Sequence, residues 1–274
     1  NRGFNCLALA LHKTDSTGLV ESFMSTHLHL LAQTSNPTAL MYNLRLSYSM
    51  YFNHKYKRRG KLGEKCHFTM EVIGFNHTVA AASYVLRNAL HHGIVSIPYA
   101  YPHCSVNSIF MNDMGKSSET DILNPRYYHR YIGKDANYPS NYKMNSNGLF
   151  LRESVLDIPQ VENLFVTPRS FNFYMTRKST EEWEAEQRKD QNNMPPVNID
   201  TIEKGVASES ISQMLNFENG KSDYRKPSDI DVCMEIDRNL LPQYKAHSVY
   251  TLTRQEKQQI AEHLFRNLRI GEKQ

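Results

Sequence analysis

The chain has 274 residues, 40% hydrophobic and 22% charged, with 12 Gly, 11 Pro and a formal net charge of +4. That composition fits a globular protein of one large or two ordinary domains and excludes collagen-like, heptad-repeat and wholly disordered chains. The longest uncharged run, residues 88–112, carries His91, His92, Pro98, Pro102, His103 and Ser108, so it reads as a buried helix end followed by loop rather than a membrane span.

Residues 2–11 are apolar and rich in Ala and Leu, which predicts a short helix stopped by Asp15, Ser16, Thr17 and Gly18. Residues 19–32 predict one strand, with Val20, Phe23, Met24, Leu28, Leu30 and Leu31 as its apolar content. Asn36-Pro37-Thr38 opens a helix to about Asn53. Its Leu40, Met41, Leu44, Tyr48, Tyr51 and Phe52 recur at three and four residues and predict one buried stripe. A basic loop with Gly60 and Gly63 follows, then an Ala-rich helix from His77 to His92 closed by Gly93. Strand, helix, loop and helix together predict an α+β domain.

Beyond Pro98 the sequence is rich in Tyr, Pro and Asn and shows few periods. Residues 181–190 predict a polar helix and residues 191–196 a linker. Thr253-Arg254-Gln255-Glu256 has capping-box form and opens a helix with Ile260, Ala261, Leu264, Phe265 and Leu268 on one face. Cys6, Cys66, Cys104 and Cys233 have no short paired spacing, which predicts reduced, partly buried thiols. No basic-then-apolar leader opens the sequence, so the expected location is cytoplasmic; an opening Asn in place of Met leads us to expect that some leading residues are missing.

Charge separates the halves. Residues 1–150 hold 15 Lys and Arg against 8 Asp and Glu, a net +7, whereas residues 151–274 hold 17 against 20, a net −3. Within the basic half, Arg45, Lys55, Lys57, Arg58, Arg59, Lys61 and Lys65 are interleaved with Tyr42, Tyr48, Tyr51, Phe52 and Tyr56. Cations for phosphates beside rings for bases suit single-stranded nucleic acid. A solvated basic turn whose aromatics belong to the core is the other reading of this stretch.

Two local patterns carry chemistry. In His27-Leu28-His29 the imidazoles of one strand share a face and could share a metal ion; buried core histidines are the alternative. Tyr84 and Asn88 stand four residues apart on the Ala-rich helix, so a phenol nucleophile and an amide ligand are neighbours; both types are also ordinary there.

Three segments taken together are more specific. They are Phe23-Met24-Ser25-Thr26-His27-Leu28-His29-Leu30-Leu31, then Tyr51-Phe52-Asn53 leading into Lys57-Arg58-Arg59-Gly60, then Tyr84-Val85-Leu86-Arg87-Asn88-Ala89-Leu90-His91-His92-Gly93-Ile94-Val95. Over residues 1–110 this order resembles the single-tyrosine HUH transposases, and among them the REP-associated tyrosine transposases.

The resemblance implies an antiparallel sheet of the ferredoxin-like HUH endonuclease kind with packed helices, followed by a mainly helical extension over 111–274 for DNA recognition or regulation. It implies His27, His29 and Asn88 as ligands of Mg²⁺ or Mn²⁺, and Tyr84 as the nucleophile. Arg45, Lys55, Lys57, Arg58, Arg59, Lys61 and Arg87 become the DNA contacts. The implied reaction is metal-dependent cleavage and joining of single-stranded DNA beside hairpins through a 5′-phosphotyrosine. The implied setting is the bacterial cytoplasm and nucleoid, with no membrane partner. Monomer and homodimer both stay open, because some relatives place the tyrosine of one subunit in the site of the other. A domesticated, non-cleaving hairpin-binding protein is the alternative function.

Three departures accompany the resemblance. Asn88 is followed by Ala89 where relatives carry Pro, the family's first strand would precede residue 1, and about 160 residues follow the catalytic region. Residues 253–270 resemble the opening helix of a helix-turn-helix.

Overall fold

The computed structural model describes residues 2–60, 62, 67–115, 121–176, 180–190, 192, 194–204 and 229–267. The chain is α+β and divides into two compact units, Asn1–Ile211 and Ser212–Gln274. A boundary at residue 110 therefore falls inside the first unit. The physical reason is burial, since the Ala-rich helix predicted from His77 is covered by Phe165, Phe171 and Trp183, each at most 2% exposed and all from beyond 110.

Helix α1 (Arg2–Lys13) presents Phe4, Leu7, Ala8 and Leu11 to the core, as its apolar run predicts. The predicted strand over 19–32 is instead a hairpin. Strands β1 (Thr17–Phe23) and β2 (Leu28–Gln33) pair antiparallel, with Ser22 opposite His29 and Phe23 opposite Leu28. The turn closes through Met24 N–H donating to the His27 carbonyl at 2.9 Å. Ser25 and Thr26 occupy its middle, and hydroxyl residues are weaker turn signals than Gly, Asn or Pro. β1 is buried along nearly its whole length because β2 flanks one edge and Ser22 bridges Cys104 on the other.

Helix α2 (Pro37–Lys55) starts where Asn36 accepts the Ala39 N–H at 2.9 Å with Pro37 in the first turn. Its predicted stripe is narrower than expected. Leu40 and Leu44 are buried, while Met41, Tyr48, Tyr51 and Phe52 stay half-exposed. Helix α3 (Phe75–His91) is the central element, with eleven buried residues including the small Ala80, Ala81 and Ala82, which let neighbouring elements approach closely.

After α3 come short helices: α4 (His129–Ile132), α5 (Arg152–Val155), α6 (Ile158–Phe165), α7 (Pro168–Thr176), α8 (Thr180–Gln187) and α9 (Ile199–Glu203). The Tyr-rich stretch folds through tertiary contacts. Tyr128, Tyr138, Tyr142 and Phe150 pack ring against ring, and the Asn5 side chain of α1 bonds both Gly148 and Phe150. The fully buried Glu21 of β1 pairs with Arg152 of α5.

The predicted linker is also part of the first unit. Val197 is 1% exposed, and the Asn192 amide donates to the Ile73 carbonyl at 2.7 Å; Gln191 and Asn193 lie outside the described residues.

The second unit contains α10 (Asp229–Glu235) and α11 (Arg254–Asn267). Its core is Leu240, Leu241, Leu252 and Ile260, with Leu264 half-buried beside it. The capping box forms as predicted: Glu256 accepts the Thr253 N–H at 2.7 Å, and Thr253 Oγ1 accepts the Glu256 N–H. Ala261, predicted on the buried face, is exposed; Phe265 carries no described side chain, and Leu268 lies outside the described residues. The thiols of Cys6, Cys104 and Cys233 are free, and Cys66 lies outside the described residues. Among the described residues no helix is long and apolar enough to cross a membrane.

Candidate metal centre

Two elements written early in the chain bring the histidines together. His27 is the last residue of the hairpin turn and His29 the second residue of β2, so the pair does not sit within one strand as predicted. Their rings nevertheless stand 4.8 Å apart, centroid to centroid. Thr26 Oγ1 lies 3.1 Å from His27 Nδ1 and orients the ring so that Nε2 faces inward.

Helix α3 supplies the next side chains. Tyr84, Asn88 and the capping residue His92 follow at four-residue steps, which places them along one face. Asn88 is fully buried and His92 is 8% exposed.

The last member comes from far down the chain. Val197 is gripped by the buried Gln187 side chain, which accepts its N–H at 2.6 Å and donates to its carbonyl at 2.9 Å. Asn198 then caps α9 through the Thr201 N–H at 3.0 Å. The short helix ends with Glu203 between the histidines. Glu203 Oε1 stands 3.0 Å from His29 Nε2 and 3.0 Å from His92 Nε2, and accepts from Asn88 Nδ2 at 2.7 Å. Its other oxygen, Oε2, is 3.8 Å from His27 Nε2, too far for a hydrogen bond.

Burial alone would raise the Glu203 carboxyl, but hydrogen bonds from His29, His92 and Asn88 outweigh it and hold the group well below the usual carboxylate range. His27 is pushed down to about 4 by burial first and then by the neighbouring His29. At neutral pH the centre therefore holds a carboxylate and a neutral His27.

His27, His29 and Glu203 form a group that could hold a metal ion, with their ligand atoms all within 4.8 Å of one another. One observation tests the fit. Among the described residues, His27 Nε2, Asn88 Oδ1 and Glu203 Oε2 are buried with no hydrogen-bond partner. In the tautomer whose Nδ1–H donates to Thr26, His27 Nε2 presents a lone pair beside those of Asn88 Oδ1 and Glu203 Oε2. Buried lone pairs turned toward one space are costly without a cation and complementary to one.

The other predicted site residues fall around this centre. Tyr84 lies one turn before Asn88, but its ring is 8% exposed and packs 5.7 Å from that of Trp183 on α8. Arg87 is half-buried on α3. Lys55, Lys57, Arg58 and Arg59 are exposed at the end of α2 and just after it, where Lys55 and Arg58 lie over the rings of Tyr51, Tyr56 and Phe52. Arg45 sits half-buried in mid-helix, and Lys61 lies outside the described residues. A chain of contacts joins this basic end to the histidines: Arg2 stacks on Tyr51, Gly3 lies against Phe23, and Phe23 pairs with Leu28 beside His27.

Beside the centre runs a groove of about 940 Å³, walled by β2 with His29, the start of α2, residues 68–72 and Ile202 of α9.

Sequence reasoning left His92 open between a partner of the helix C-terminal carbonyls and a catalytic group, and missed Glu203. His92 carried a readable signal, its four-residue offset from Asn88. Glu203 carried none, because an acidic residue ending a five-residue helix looks like any solvated surface residue. No family model matches the chain, no curated protein matches it, and no solved structure matches it.

Proposed function

We propose that the chain is a metal-dependent single-stranded DNA endonuclease and strand transferase that acts near hairpins through Tyr84, with an HUH-type core. The observation that supports this most is that His27, His29 and Glu203 form a group that could hold a metal ion, with the buried, unbonded atoms His27 Nε2, Asn88 Oδ1 and Glu203 Oε2 at the same place.

His27, His29 and Asn88 would hold Mg²⁺ or Mn²⁺, which when bound polarises the scissile phosphate and offsets its developing charge. The chain's own residues do the rest. Tyr84, positioned by α3 one turn from Asn88, gives up its phenol proton; its Oη bonds to phosphorus, the bond from phosphorus to the 3′ oxygen breaks, and that oxygen takes a proton. The 5′-phosphotyrosine conserves the ester bond, so a free 3′-hydroxyl of another strand reverses the step without ATP. Lys55, Lys57, Arg58 and Arg59 bind phosphates while Tyr51, Phe52 and Tyr56 offer faces for unpaired bases. The groove beside His29 has room for a nucleotide.

The cover over Tyr84 sets a condition on this chemistry: α8 must draw back from the phenol before a phosphate can reach it. The same cover favours a second reading, a hairpin-binding protein that does not cut. One experiment separates them. Incubation with single-stranded hairpin oligonucleotides and Mn²⁺, followed by a denaturing gel, is expected to yield a covalent adduct that Tyr84→Phe abolishes. Retention of the hairpin without adduct establishes the binding protein instead.

A further inference from the structure

The donor set is richer than two histidines and an amide. His92 Nε2 reaches the same Glu203 oxygen as His29 Nε2, each at 3.0 Å, and His27 Nε2 stands 3.8 Å from the other carboxylate oxygen. Two ligand atoms at right angles around one ion, each about 2.1 Å from it, are about 3.0 Å apart. The nitrogens of His29 and His92 stand at that spacing from the carboxylate, and the side chains of His27 and Asn88, which interact with each other, border the same space.

We propose that this site selects a first-row transition-metal dication, Mn²⁺ through Zn²⁺, over Mg²⁺, with His27, His29, His92 and Glu203 as ligands and Asn88 beside them. Three imidazoles are poor company for Mg²⁺, which prefers oxygen and keeps its waters, whereas first-row dications bind nitrogen ligands with affinity that rises from Mn²⁺ to Cu²⁺ and falls back at Zn²⁺. The single carboxylate supplies the charge that a trio of neutral imidazoles lacks.

The donor set also gives α9 a role. A ligand from beyond residue 200 completes a centre that residues 1–110 leave one charge short, and Gln187 is the positioning residue that holds the segment through Val197. This inference rests on His27 and His29 as ligands and is independent of Tyr84 as nucleophile.

Isothermal titration and thermal melting of the chelator-stripped full chain, with MnCl₂, CoCl₂, ZnCl₂ or MgCl₂ as the only addition, test it. Mn²⁺ or its heavier neighbours are expected to bind at least tenfold more tightly than Mg²⁺. Glu203→Gln and His92→Gln are each expected to weaken Mn²⁺ binding tenfold or more, with Glu203→Asp restoring part of the loss. Co²⁺ absorption gives a second readout, since loss of a nitrogen in His92→Gln shifts the visible bands, and melting each metal-free variant reports whether it folds.

Parent-like binding by folded Glu203→Gln and His92→Gln overturns the inference, as does equal affinity for Mg²⁺. Tighter binding by Glu203→Gln overturns it too, since the carboxylate would then be a plug in the place of a phosphate. The two readings fail separately. Tight Mn²⁺ binding without any DNA adduct sinks strand transfer alone, whereas an adduct formed equally well by the Glu203 and His92 variants in Mg²⁺ sinks the ligand assignment alone.

Discussion

At the N-terminal end of α3, Asp190 accepts the backbone N–H groups of Asn76 at 3.1 Å and His77 at 2.9 Å, together with the Asn76 side-chain amide and His77 Nδ1. Near the C-terminal end of the same helix, Glu203 crowds three donors onto one oxygen and leaves the other with no hydrogen bond. Both carboxylates come from the stretch after residue 180 and both meet histidines. Asp190 stands at the positive end of the helix dipole and uses both oxygens, so it closes a cap. Glu203 lies toward the negative end, where an anion is disfavoured and a cation favoured. A carboxylate beside a histidine is thus a structural stitch at one end and half of a binding site at the other; what separates them is which lone pairs remain.

The largest expected effect is at the satisfied end. Asp190→Ala strips α3 of its only described side-chain cap and leaves His77 buried, at an expected cost of about 3 kcal/mol. Gly74→Ala should approach that cost, because Gly74 has φ +108° and a Cβ there would lie 2.3 Å from the Asp190 carboxylate. A lower urea midpoint at unchanged slope checks both. Little change for either would show that the cap is ornamental.

Next comes the unsatisfied end. Free Mn²⁺ at a hundred times its dissociation constant should stabilise the parent by about 2.7 kcal/mol. Glu203→Gln should lose most of that increment and Asp190→Asn keep it, by thermal melting with and without metal. Equal increments in the two variants would erase the distinction between the ends.

Titration should resolve the same two ends in different windows in the metal-free protein. His27 is lowered from 6.5 to about 4, so the unfolded chain binds its proton first and stability falls as pH drops from about 6.5 toward 4. Burial opposes the Asp190 shift, but its bonds from His77 and Asn76 lower it from 3.8 to about 2. Its contribution is full above about 4 and lost as pH falls toward 2. His27→Gln should flatten the upper window and Asp190→Asn the lower, in urea midpoints followed against pH.

The smallest effects belong to the exposed cations. Lys55→Ala, Arg58→Ala or Arg59→Ala should each reduce the salt slope of single-stranded DNA binding by about 1, and shift stability by about 0.5 kcal/mol or less. A salt slope unmoved by all three would detach the basic stretch from DNA.

Much of this architecture was legible in the residues. Helices α1, α2 and α3 follow from their periods, α2 from Asn36-Pro37, and the end of α3 from Gly93, which has φ +66°. The hairpin was not legible, because Met24-Ser25-Thr26-His27 lacks a strong turn former and apolar residues run on past it. Of the centre, His27 and His29 could be singled out by type and spacing, and Asn88 through the resemblance. Glu203 could not, since its partners lie 111 to 174 residues away.

Local order in this chain is governed by short-range sterics and capping, which a sequence displays directly. Residue type likewise announces which side chains are able to bind a metal or attack a phosphate. Tertiary structure alone decided that residues beyond 110 cover α3, that Trp183 lies on Tyr84, and that one of two late carboxylates is consumed by backbone N–H groups while the other faces lone pairs. The reason is physical: burial and hydrogen-bond satisfaction are properties of the space a side chain enters, and that space is assembled from segments no local pattern connects.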